Sequence, residues 1–218
     1  SLDLAGLGGN TNFFKPMLEG VYFFKQNNRL TLGMRGQVEY IRRFSGSREL
    51  PIFQRLFLGG EYSVRGFDIR TIGPQDPETG LVLGGNKSLL FNVEQAISIA
   101  GPVRLILFYD AGQVRDEGQA FTIIEEATQI VPRTTLLSPL DGGTRLLTDP
   151  NAPPLDTVTV RRSAFKTSTG AEVRFFMPVL NVPFRLIFSY NPQRDGVLNN
   201  NLRPQKKLQF RFAVGTTF

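Results

Sequence analysis

Lys207-Leu208-Gln209-Phe210-Arg211-Phe212-Ala213-Val214-Gly215-Thr216-Thr217-Phe218 decides the fold. Leu208, Phe210, Phe212, Val214 and Phe218 fall on one face; Lys207, Gln209, Arg211, Ala213, Gly215 and Thr217 fall on the other. A period of two sustained over this length is a β-strand, because successive side chains of extended backbone point to opposite sides.

Working outward, the same alternation recurs along the chain. Leu89, Phe91, Val93, Ile97 and Ile99 oppose Asn92, Glu94, Ala96 and Ser98. Val103, Leu105, Leu107 and Tyr109 oppose Arg104 and Asp110, and Phe184, Leu186, Phe188 and Tyr190 oppose Arg185 and Ser189. Phe165, Ala171, Val173 and Phe175 oppose Lys166, Ser168, Glu172 and Arg174. Leu30, Leu32, Met34, Val38 and Tyr40 oppose Thr31, Arg35, Gln37 and Glu39. The segment 13–25 is weaker, since Pro16 cannot donate to a ladder, and residues 1–6 read as the tail of one more strand. About eight strands result.

A sandwich and a membrane barrel both alternate, so the polar face and the connections must separate them. The polar face mixes Arg35, Glu39, Glu94, Asp110, Glu172, Arg174, Arg185 and Arg211 with small residues, which suits a wet lumen, while Phe and Tyr gather near strand ends of the apolar face as girdles do. After a short link at about 6–12, the links alternate short and long: 25–29, then about 45–87, Ala100-Gly101-Pro102, about 116–162, Pro178–Pro183, and 191–205. An up-and-down barrel has short turns on one rim and long loops on the other, a rule that a sandwich has no reason to obey. The fold class is therefore all-β: a transmembrane antiparallel up-and-down β-barrel, with 1–218 as one barrel domain. The links at about 45–87 and 116–162 are its long loops, and the second is expected to lie outside.

Composition narrows the chemistry. The 25 Lys and Arg against 19 Asp and Glu give a net charge of +6, with no basic run longer than two residues. That balance fits water-facing loops and a polar lumen, and implies no nucleic-acid partner. Cysteine and histidine are absent, which removes disulfides, thiolate chemistry, His-based acid–base catalysis and most zinc sites. Gly85-Asn86-Lys87-Ser88 lacks the glycine before lysine that a P-loop needs and precedes a strand, so no nucleotide site is expected. The chain is read as a non-enzyme with no cofactor and no metal. It opens without a signal peptide, as a mature or truncated product would.

One loop stands apart. Leu58-Gly59-Gly60-Glu61-Tyr62-Ser63-Val64-Arg65-Gly66-Phe67 sets an arginine among glycines and aromatics. Thr71-Ile72-Gly73-Pro74, Gly84-Gly85-Asn86, Phe108-Tyr109-Asp110-Ala111-Gly112-Gln113-Val114 and Ser168-Thr169-Gly170 follow in order. Together these resemble the signature loop and closing strands of the BamA family of outer-membrane barrel assembly and translocation proteins, along essentially the whole chain. The aromatic end at Phe218 is similar to the C-terminal signal of outer-membrane barrels.

The resemblance implies a sixteen-stranded barrel preceded by periplasmic POTRA repeats, of which this chain would supply the C-terminal eight strands. It implies that the loop at about 45–87 folds inward, so that its tip, Gly59, Gly60, Val64, Arg65, Gly66 and Phe67, reaches into the lumen, where Arg65 meets Glu94 and Asp110. A guanidinium can bridge two carboxylates through its planar donor fork. The resemblance also implies a seam at the last strand, carried by Phe210, Phe212, Val214, Gly215 and Phe218, which opens to template incoming strands. Implied partners are the outer-membrane bilayer, nascent outer-membrane proteins, POTRA repeats and accessory lipoproteins. The expected function is insertion of other outer-membrane proteins by edge-strand templating and membrane thinning. A two-partner-type secretion pore or a passive porin are the alternatives, and Thr71-Ile72-Gly73-Pro74 leans toward assembly.

Overall fold

The computed structural model describes residues 1–5, 12–44, 50–76, 79–132, 155–177 and 182–215. Phe218 lies outside them. The strands are β1 (Leu2–Ala5), β2 (Phe13–Lys25), β3 (Leu30–Tyr40), β4 (Arg42–Arg43), β5 (Lys87–Ala100), β6 (Val103–Arg115), β7 (Ile124–Pro132), β8 (Leu155–Ser163), β9 (Lys166–Met177), β10 (Val182–Gln193) and β11 (Leu208–Val214).

Eight of them form one antiparallel wall in the order β1-β2-β3-β5-β6-β9-β10-β11, with the short β4 added against β2. Apart from the β6-to-β9 step, which spans an inserted hairpin, and the β4 interruption, each strand pairs with the next in sequence, as a meander does. The path is open, with no pairing of β1 to β11 among the described residues. Since the side-chain period is two, the register fixes which residues share a face. Asn92 lies opposite Asp110 and Asp110 opposite Ser168, so these polar side chains line one side together.

The opposite side is apolar and uncovered. Leu208, Phe210 and Phe212 are 71%, 57% and 60% exposed, continuing a belt through Leu186, Phe188, Tyr190, Leu107, Tyr109 and Phe91. Phe184 stacks on Phe212 and Phe188 packs against Phe210 at 5.8 and 4.9 Å between ring centroids, cross-strand pairs on the bare face. A sheet that exposes its aromatic face and buries its arginines is inside-out relative to a water-soluble core.

The link between β3 and β5 occupies the polar side. Leu56 and Gly85 exchange backbone hydrogen bonds at 2.9 Å, and Leu58 and Ile72 do so at 3.0 and 2.9 Å. Leu50, Leu56, Leu58, Val64, Phe67 and Ile72 form a buried cluster with Ile41, Leu90, Val114 and Val197. The loop thus carries its own apolar core into a polar enclosure.

The wall is curled around that loop. Arg35 of β3 donates to the Tyr62 carbonyl at 3.0 Å, while the Tyr62 hydroxyl donates to the Val214 carbonyl of β11 at 2.7 Å. Five strand spacings separate β3 from β11, about 24 Å in a flat sheet, further than one arginine and one tyrosine reach.

The link at about 116–162 differs from its reading as a plain loop. It contains β7 and β8, paired from Ile124 opposite Ser163 to Pro132 opposite Leu155 as a separate two-stranded sheet. Its β-branched runs, Ile130-Val131 and Thr157-Val158-Thr159-Val160, favour extended backbone. Residues 133–154 lie outside the described residues.

Candidate functional site

Arg65 is fully buried at the tip of the inward loop, over the junction of β5, β6 and β9. Its Nε and Nη2 donate to Oδ2 and Oδ1 of Asp110 at 2.8 and 2.7 Å, and its backbone amide donates to the same Oδ2 at 3.0 Å. Its Nη1 donates to Glu94 at 2.6 Å and to Glu172 at 3.3 Å. The guanidinium lies 3.9 Å from the ring centre of Phe108, which closes its remaining face. Burial works against the charge, but the carboxylates of Asp110, Glu94 and Glu172 outweigh it, so the Arg65 pKa is raised and the residue stays protonated.

The wall needs that cluster as much as the loop does. Arg104, Arg174 and Arg185 stand directly opposite one another across β6, β9 and β10. Like charges so placed repel. Glu172 answers two of them: it accepts from Arg174 Nε at 2.8 Å and from Arg185 Nε and Nη2, both at 2.8 Å. Arg174 also reaches Glu94 at 3.4 Å. Arg65, Arg174 and Arg185 thus face Glu94, Asp110 and Glu172, a buried set whose formal charges cancel. Separating one ion from such a set costs about 3–5 kcal/mol, because its partner is left charged and dry.

Other groups hold the tip. Asn92 Nδ2 donates to Asp110 at 2.8 Å and to the Ser63 carbonyl at 2.7 Å. The Gly66 carbonyl accepts from Asn191 Nδ2 at 2.9 Å and Gln205 Nε2 at 2.6 Å. Gly66 has φ +90°, and a Cβ there would lie 2.4 Å from Asn191 Oδ1 and 2.6 Å from Ser189 Oγ. Only glycine fits both the conformation and the space. Phe67 and Val64 are fully buried in the loop's apolar cluster, and Gly59 and Gly60 begin the turn with positive φ.

Reasoning from the sequence named Arg65, Glu94 and Asp110, and the structure brings these together. It missed Glu172 as a third carboxylate, although it had put Glu172 on the polar face. It missed Asn92, Asn191, Gln205 and Tyr62. Of the residues expected at a seam, Phe210, Phe212 and Val214 face outward on β11, and Gly215 follows its end with φ +109° and its amide still bonded to the Pro183 carbonyl at 2.9 Å. Residue 218 lies outside the described residues.

An apolar outer belt around a charged interior filled by a loop defines a plugged β-barrel wall. The Omp85 superfamily domain matches residues 1–218, and the chain belongs to that superfamily. It is similar to the outer membrane protein assembly factor BamA of Nitratidesulfovibrio vulgaris, 30% identical over 97% of this chain and 21% of the relative. It is also similar to BamA of Neisseria meningitidis serogroup B, 31% identical over 52% of this chain and 15% of the relative. The chain therefore spans about a fifth or less of these relatives' length. Among solved structures it resembles BamA from Haemophilus ducreyi lacking POTRA domains 1–3, with a TM-score of 0.58 and 18% identity, over 94% of this chain and 35% of that one. The fold is accordingly that of a transmembrane antiparallel barrel wall, and the chain is a bacterial outer-membrane protein.

Proposed function

We propose that this chain is the closing wall and plug of a machine that inserts other proteins into the outer membrane. The step is non-covalent: a nascent strand hydrogen-bonds to the free edge of β11, and the weakened bilayer beside that edge eases its entry. No nucleotide, metal or chemical turnover takes part. POTRA repeats and accessory lipoproteins would deliver the client, and the preceding strands of a sixteen-stranded barrel would complete the wall.

The observation that carries this reading is the edge of β11. Gly215 donates to Pro183, and Asn191 donates to the Lys207 carbonyl at 2.8 Å, so the odd-numbered residues of β11 hydrogen-bond to β10. The backbone groups of Leu208, Phe210, Phe212 and Val214 consequently point away from β10, beside outward aromatic side chains. Such an edge is normally an aggregation hazard, and in lipid an unpaired one is costly. The preceding strands that would complete the wall meet it at this edge, so a client strand would enter by competing for the outward groups of β11.

The test uses proteoliposomes containing the protein and an unfolded, unrelated outer-membrane barrel as client. Faster client folding than in empty liposomes is expected. Steady ionic conductance with no acceleration would instead favour the secretion-pore reading.

A further inference from the structure

The tip loop does more than anchor itself: it reaches the strand edge. The Tyr62 hydroxyl donates to the Val214 carbonyl at 2.7 Å, and that carbonyl belongs to the row facing away from β10. It is where an added antiparallel strand would place a backbone N–H. Gly215 lets a residue inside the wall reach it. It has no side chain on the inner face, and a Cβ built there would sit 3.3 Å from the Tyr62 hydroxyl. Its φ of +109° is one that other residues disfavour. Tyr62 is meanwhile fixed from behind, its carbonyl held by Arg35 and its ring 6.0 Å from the Arg185 guanidinium.

A second tie runs parallel. Asp68 pairs with Arg211 and accepts from Gln209 Nε2 at 3.2 Å, both inward-facing residues of β11. The loop therefore grips the inner face of this strand through Asp68 and its outer edge through Tyr62.

We propose that Tyr62 caps the β11 edge, so that an incoming strand must displace its hydroxyl to pair at Val214. Strand addition is thereby coupled to the loop that carries Arg65, three residues from Tyr62 on one side and three from Asp68 on the other. The cap is a positioning device: it keeps the Val214 carbonyl satisfied at rest and yields to a backbone donor. The proposal rests on the reading of β11 as the pairing edge.

The experiment uses the full chain in proteoliposomes and two readouts. In the first, valine carbonyls carry ¹³C and Val214 is assigned by difference against Val214→Leu. Tyr62→Phe, which keeps the ring, is expected to move the Val214 band to higher wavenumber in isotope-edited infrared spectra; an unmoved band overturns the cap. In the second, a synthetic peptide with the sequence of residues 207–215 and an added cysteine is cross-linked to Phe212→Cys. Tyr62→Phe is expected to raise the initial rate several-fold, while Tyr190→Phe on the outer face of β10 leaves it unchanged. Equal rates for Tyr62→Phe and its parent, or no cross-link in either, overturn the proposal. A shifted band and a raised rate in a protein that does not accelerate client folding would uphold the cap and sink only the insertase reading.

Discussion

Asp110 accepts three hydrogen bonds from Arg65, two from the guanidinium and one from the backbone amide. One carboxylate on β6 therefore fixes both the side chain and the main chain of the loop tip. This double hold ties the position of the loop to the register of the wall.

Arg65→Lys keeps the charge but replaces the planar fork by a point charge that cannot serve Asp110 at both oxygens and Glu94 together. Arg65→Ala leaves three carboxylates facing two arginines. Both variants are expected to lose client-folding activity and to expose the 50–86 loop to added protease, with Arg65→Ala the more destabilised by about 2 kcal/mol or more in urea titrations. Full activity in both would remove the role assigned to the fork.

Glu172→Gln tests the carboxylate that sequence reasoning did not name. It leaves Arg174 and Arg185 directly opposite each other without the negative charge they share, and puts an NH2 where one acceptor oxygen stood. A loss of about 3 kcal/mol is expected, close to that of Asp110→Asn. A loss below about 1 kcal/mol would mean that water or Glu94 replaces it.

Gly66→Ala is expected to loosen the tip without touching any charge. It combines an unfavourable left-handed backbone, costing about 1–2 kcal/mol, with a methyl 2.4 Å from Asn191 Oδ1. Protease protection of the loop should fall while the strand content seen by circular dichroism stays constant.

The outer hairpin gives a pH dependence. Glu125 of β7 receives Arg115 Nη1 at 2.5 Å and Arg162 Nε at 2.6 Å, with Lys166 Nζ at 3.5 Å. Burial works against its charge, but Lys166, Arg162 and Arg115 outweigh it and hold the carboxyl below its usual range. A depressed carboxylate stabilises above its unfolded pKa, about 4.3, and that stabilisation is lost as pH falls through the lower folded value. Protease protection of the hairpin should thus be flat from neutral pH to about 5 and fail only in stronger acid. Glu125→Gln should abolish the protection at neutral pH. Glu126→Gln should not, because its 3.9 Å pair with Arg161 is exposed.

The strands were legible because the alternation is strict: Leu208, Phe210 and Phe212 point outward as their period of two requires. The inner face was legible for the same reason, and Arg65, Glu94 and Asp110 through the loop's resemblance to a known signature. Glu172 was not, because it meets Arg65 only once β9 is set beside β6 with Ile106 opposite Glu172, a register that no local pattern carries. The β7–β8 hairpin was hidden because its first strand, Ile124–Pro132, does not alternate polar with apolar residues and ends on a proline. Tyr62, Asn191 and Gln205 stand in connections or at strand ends, where a polar or aromatic residue has no face to betray its partner.

The neutrality of the buried ion set has a corollary for permeation. Pulling the tip outward removes one guanidinium and leaves Arg174 and Arg185 against Glu94, Asp110 and Glu172. Asp68 leaves with the tip and strips Arg211 of its carboxylate, so the vacated wall keeps three arginines against three carboxylates, and any current through an unplugged form should discriminate only weakly between cations and anions.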